Sequence, residues 1–132
     1  MEIEIFFEEK GKVNAKVKDQ VVKTDQPVQG GGDGSAPAPF DLFLASIGTC
    51  AGIYLKRFCE QRDIDTSEVR IVQKHHYNRE ERRIDHVELE AILPDSFPRK
   101  YLKAAVQSMD LCAVKKHLQQ PPQFRTYTNL DE

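Results

Sequence analysis

The chain has 132 residues, 30% charged and 39% hydrophobic, with 19 Lys+Arg against 21 Asp+Glu, a formal net charge of −2 and three cysteines. This is the profile of one domain, residues 1–132, able to bury roughly two-thirds of its unfolded surface without metal or disulfide staples. Interspersed charges leave no basic face for nucleic acid, and the longest uncharged apolar run, Leu42–Leu55, falls short of the about 18 residues of a membrane span.

The start, Met1-Glu-Ile-Glu-Ile-Phe-Phe, alternates acidic and apolar residues and lacks the basic opening of a leader, so a cytoplasmic protein with no membrane partner is expected. Alternation at Ile3-Ile5, Val13-Ala15-Val17 and Val21-Val22 predicts three strands in an antiparallel meander. From Asp25 to Pro39 glycine and proline dominate, which predicts a long loop; no Gly-Lys-Ser/Thr follows to make it a phosphate cradle. Pro39 suits a first helical turn and Asp41 complements the helix dipole, so a helix is predicted from Pro39 to about Arg62. Its first four turns are apolar on every side, which calls for cover on more than one face and points to a second subunit.

Glu68–Tyr77 and Ile84–Ile92 alternate around the charged turn Asn78–Arg82 and predict a β-hairpin. After Pro94–Pro98 a second helix carries the stripe Tyr101, Leu102, Ala105, Val106 and Met109. Asp110 is placed to cap a further short helix carrying Cys112, Val114 and Leu118, which Pro121-Pro122 ends. Phe124–Thr128 reads as a last strand.

An odd cysteine count in a reducing compartment points to reactive, metal-bound or plainly buried thiols. Cys50 lies mid-helix between Gly48 and Gly52; glycine costs about 1 kcal/mol against alanine there, so either something packs or reacts nearby or Cys50 is a small residue at a tight crossing. Cys59, nine residues on, faces the opposite way and reads as incidental. If Asp110 caps, Cys112 occupies the second helical position, where free amides lower a thiol pKa; if one helix runs from Pro98 to Gln119, Cys112 is a core residue. The histidines at 75, 76, 86 and 117 show no metal-ligand spacing, and His75 and His76 point to opposite faces of a strand, so no metal is expected.

Asp33-Gly-Ser-Ala-Pro-Ala-Pro39 leading into Phe40-Asp-Leu-Phe-Leu-Ala-Ser-Ile-Gly-Thr-Cys50, followed by Leu111-Cys-Ala-Val-Lys-Lys-His-Leu118, resembles the OsmC/Ohr family, on its OsmC-like branch. The resemblance spans essentially the whole chain. It implies an α+β fold with antiparallel sheets wrapped around a long central helix, in an intertwined homodimer with sites at the interface. It also implies a thiol-dependent peroxidase that reduces organic hydroperoxides, and for some members hydrogen peroxide, in oxidative-stress defence. By position Cys50 would be the peroxidatic and Cys112 the resolving cysteine, with no resident cofactor and an external lipoyl or thioredoxin-like dithiol as reductant. The Ohr branch has a glutamate ten residues before its first cysteine; here Phe40 stands there with Asp41 beside it, a candidate replacement. No arginine precedes Arg57 to pair with it, leaving Lys16, Lys18 or Lys23. The alternative reading is a non-enzymatic protein of the same fold that binds a small apolar or thiol-bearing ligand at the dimer cleft.

Overall fold

The computed structural model describes residues 1–130. It is a mixed α+β structure with antiparallel sheets and one long helix, and its backbone forms two compact units, Met1–Ser46 and Ile47–Glu132.

The first unit holds the expected meander of β1 (Ile3–Phe7), β2 (Val13–Val17) and β3 (Gln20–Val22), paired from Ile3↔Val17 to Phe7↔Val13 and from Ala15↔Val22 to Val17↔Gln20. The loop beyond β3 is built around Asp25, a fully buried carboxylate. It accepts hydrogen bonds from the Gln26 N–H at 2.7 Å, the Ser35 N–H at 3.0 Å, the Asp33 N–H at 3.3 Å and the Ser35 hydroxyl at 2.6 Å. Only glycine fits at 32, where a Cβ would stand 2.1 Å from the Gln26 carbonyl oxygen. Lys10 and Lys12 then clamp the loop from outside, 2.7 and 2.8 Å from the Asp33 carboxylate. The segment therefore folds on a side chain in place of a ladder, with one 3-10 turn at Val28–Gly30 that its composition did not suggest.

Helix α1 (Pro39–Glu60) begins as expected, with Asp41 in its first turn. It ends in a Schellman arrangement: Asp63 takes the left-handed conformation (φ 54°), and the Ile64 and Asp63 N–H groups return to the Cys59 and Glu60 carbonyls at 2.9 and 3.2 Å. At 22 residues α1 is the one helix among the described residues long and apolar enough, by length and composition, to cross a membrane; the uncharged run inside it, Leu42–Leu55, is shorter than a span, as expected. Its buried residues, Ile47, Ala51, Leu55, Phe58 and Cys59, form a single stripe at helical spacing. Of the apolar residues off that stripe, Phe40, Phe43 and Ile53 are exposed, and Leu42, Leu44 and Tyr54 are half-buried.

In the second unit β4 (Arg70–Asn78) and β5 (Arg83–Ile92) form the expected hairpin. Its inner-face residues Ile71, Leu89 and Ala91 pack on Ala51, Leu55, Phe58 and Cys59 of α1. After a 3-10 turn at Arg99–Tyr101, α2 (Leu102–Met109) adds Ala105 and Met109 to the same core, and Phe97 completes it. Tyr101 meets Phe58 edge to face, and the Arg62 guanidinium lies 3.7 Å from the Phe58 ring centroid. Helix α3 (Ala113–Gln119) follows.

Phe124–Thr128 is not a strand. Its alternation is real, but a strand exists only where a neighbour takes its backbone donors and acceptors, and no such ladder forms among the described residues.

Leu55 is 2% exposed at the centre of this core, so Leu55→Ala should cost about 2–5 kcal/mol of unfolding free energy, read by denaturant titration. The donors around Asp25 hold its carboxyl well below the usual carboxylate range, the Ser35 hydroxyl contributing most. A depressed folded-state pKa stabilises above the unfolded pKa, near 3.9, and that stabilisation is lost as the pH falls through the folded value. Asp25→Asn should therefore melt about 4 °C or more below wild type at pH 7, with the gap narrowing below about pH 4.

Candidate functional site

Two of the three cysteines come together on the flank of α1, and the third is kept away. Cys112 is buried, 1% exposed, and stands immediately before α3 with φ −55° and ψ 126°, outside the helix. Cys50 is half-buried and in hydrogen-bond contact with it. Cys59 is fully buried in the hydrophobic core, where loss of hydration pushes its thiol pKa up.

The local frame differs from the sequence expectation in one decisive respect. Asp110 does not cap α3. It follows the last residue of α2, and its carboxylate pairs with Lys115 Nζ at 2.7 Å. Cys112 takes the cap position itself, its carbonyl accepting the first helical bond from the Lys116 N–H at 3.2 Å. The opening amides of α3, which have no partner inside the helix, then reach Cys50. The Val114 N–H contributes most, the Cys112 S–H next and the Ala113 N–H last, and together they outweigh burial and hold the Cys50 thiol below its ordinary value.

Cys112 shifts the other way. Burial raises its pKa most, and the neighbouring Cys50 sulfur adds to this, against smaller opposite effects of the Lys115 and Val114 amides. Its S–H has two acceptors, the Cys50 sulfur and the Ile47 carbonyl oxygen at 4.0 Å. With Asp110 not capping, Cys112 is not at the second helical position, and burial pushes its thiol pKa up. The helix terminus does stabilise a thiolate, on the facing cysteine.

The glycines that bracket Cys50 serve the strand crossing. A Cβ at Gly48 would lie 2.4 Å from Gln73 Oε1 of β4, and one at Gly52 would touch Ile71 Cδ1 at 3.7 Å. The Gln73 side chain in turn meets His75 Nε2 at 2.6 Å. Asp41 is exposed in the first turn of α1, and among the described residues no basic side chain pairs with it.

Sequence reasoning missed the Ala113 and Val114 amides, since backbone donors leave no residue signature. It also missed a His76, Asp85 and His86 cluster on the hairpin, whose ligand atoms all lie within 4.8 Å of one another. The only hint was that a hairpin places residues near 76 opposite those near 86.

The family model described as OsmC-like protein matches residues 32–126. Among solved structures, the chain is similar to an osmotic stress induced and detoxification response protein from Psychrobacter arcticus, with TM-score 0.71, 20% identity and coverage of 86% of this chain and 85% of that one. It is similar also to an OsmC-like protein from Mycoplasma pneumoniae, with TM-score 0.70, 12% identity and coverage of 91% and 87%. A third, from Legionella pneumophila, is described as an organic hydroperoxide resistance protein OsmC and redox protein; it aligns with TM-score 0.59, 20% identity and coverage of 89% and 87%. No curated protein matches by sequence. The match over 32–126, which takes in both Cys50 and Cys112, shows that the chain belongs to the OsmC family.

Proposed function

We propose that the chain is a thiol peroxidase that reduces organic hydroperoxides through Cys50 and Cys112. The observation that supports this most directly is the opposed shift of the two thiols. Amides at the start of α3 favour the Cys50 thiolate, and burial keeps Cys112 protonated beside it.

In the proposed cycle the Cys50 thiolate attacks the distal oxygen of ROOH. The O–O bond breaks, the leaving alkoxide takes a proton to become ROH, and Cys50 becomes a sulfenic acid. Cys112, losing its proton, attacks that sulfur; a disulfide forms and the hydroxyl leaves as water. An external dithiol, lipoyl or thioredoxin-like, then supplies two electrons and two protons and regenerates both thiols. The sum is ROOH plus dithiol giving ROH, water and disulfide.

The proposal includes a homodimer. The exposed apolar residues Ile3, Ile5 and Phe7 of β1, and Phe43 and Ile53 of α1, are surface that a second copy would cover. A cytoplasmic location agrees with three unpaired cysteines.

With dihydrolipoamide as reductant, Cys50→Ser should lower cumene hydroperoxide consumption at least about 100-fold. Unchanged turnover in that variant would overturn the proposal. Cys112→Ser should still consume about one equivalent and accumulate a sulfenic acid at Cys50, trapped by dimedone and located by mass spectrometry. At pH 7 iodoacetamide should label Cys50 well ahead of Cys112 and Cys59, with a rate that levels off at lower pH than that of a free cysteine.

A further inference from the structure

On the β4–β5 hairpin the register runs regularly from Arg70↔Ile92 to His76↔His86 and then shifts, so that Tyr77 pairs with Ile84. Asp85 is the extra residue of a β-bulge. Regular alternation would send Asp85 and His86 to opposite faces, but the bulge turns both toward His76 of the facing strand. The Asp85 Oδ1 atom consequently accepts from His76 Nδ1 and from His86 Nδ1, each at 2.9 Å. The two rings stand edge to face, 5.9 Å apart. Asp85 is 16% exposed, whereas His76 and His86 are 71% and 77% exposed.

We propose that His76, Asp85 and His86 bind a divalent transition-metal ion of the zinc class. Two imidazoles and a carboxylate are a donor set such ions prefer. With metal–ligand bonds of about 2.1 Å, adjacent ligands in a coordination sphere lie about 3 Å apart in octahedral and about 3.4 Å apart in tetrahedral geometry, within a few tenths of an ångström of the 2.9 Å Nδ1···Oδ1 spacing on both sides of Asp85. The remaining positions of the set lie within 4.8 Å, a span that small rotations of two exposed rings close. The site also has an orienting partner: Asn78 Nδ2 donates to Asp85 Oδ2 at 3.0 Å, turning Oδ1 toward the histidines. The same face offers Glu88, opposite Lys74, whose own charge is paired with Glu90 at 3.2 Å. The exposed side of the trio leaves coordination positions for water or an incoming ligand.

Occupancy requires a tautomer change that can be observed. In the hydrogen-bonded trio each Nδ1 carries the proton it donates to Asp85; on coordination Nδ1 presents its lone pair to the metal and the ring's proton resides on Nε2. This site is separate from the thiol chemistry and does not depend on it.

The test is titration of Zn²⁺ into the full chain, free of any purification tag, in a Cys50→Ser/Cys112→Ser background that excludes thiolate ligation. One equivalent should bind, and His76→Ala, His86→Ala and Asp85→Asn should each weaken binding at least about 10-fold, with Asn78→Ala weakening it about 10-fold through the lost orienting bond. Nitrogen-15 NMR of the unmutated site should show His76 and His86 moving from the Nδ1–H to the Nε2–H form while His75 and His117 stay unchanged. Absence of saturable one-to-one binding would overturn the proposal, as would binding indifferent to His76→Ala and His86→Ala or a titration that leaves both ring tautomers in place.

Discussion

The buried stripe of α1 is the constraint on which the second unit depends. Ala51, Leu55, Phe58 and Cys59 are covered by the hairpin, Phe97 and α2, and Ile47, a turn earlier, is buried beside Cys112. Close cover requires small residues at the crossing, which is why Ala51 is fully buried and why Gly48 faces the Gln73 side chain with no room for a Cβ. At 100° per residue Cys50 then sits beside the stripe rather than in it, half-buried and open to whatever is packed on that flank. The start of α3 is what is packed there.

From that geometry the two thiols acquire opposite character. A thiolate needs donors, and the first turn of a helix has unused ones. Cys112 itself draws on the Lys115 and Val114 amides, but burial outweighs them. Because it precedes the helix, its own sulfur is buried against Ile47 and Cys50, while the Ala113 and Val114 amides face Cys50. The helix start lies two residues beyond the one that an Asp110 cap would set. Cys59 stays outside the competition, since burial in the core raises its pKa more than the nearby Arg62 charge lowers it.

Most elements were legible because their periodicity was unambiguous: the meander, α1 and the hairpin follow from alternation and apolar spacing. Phe124–Thr128 failed because alternation describes a strand's faces and says nothing of its neighbour. The pairing of Cys50 with Cys112 came from the family pattern, not from the residues themselves. Which of the two is the easier thiolate was not legible in the residues, because it turned on whether Asp110 or Cys112 caps α3, a distinction of two residues that propensity does not resolve; Asp110 instead pairs with Lys115. The loop from Asp25 to Pro39 reads as glycine-rich coil until the buried carboxylate that gathers its amides is placed.

The hairpin illustrates how a single register shift separates two kinds of chemistry. Up to His76 the period of two assigns Ile71 and Gln73 to the face toward α1 and leaves Lys74 and His76 on the other. That alternation was the reason to discount the histidines as a cluster, and for neighbours within one strand it holds. It fails across the bulge, where Asp85 and His86 share a face in spite of being adjacent in sequence. Asp85 thereby gains three donors, His86, His76 and Asn78, and its carboxyl falls well below the usual range. The inner face of the same strands stays committed to the core of α1. The outer trio can therefore change its protons or its ligand without any side chain of the apolar stripe having to move.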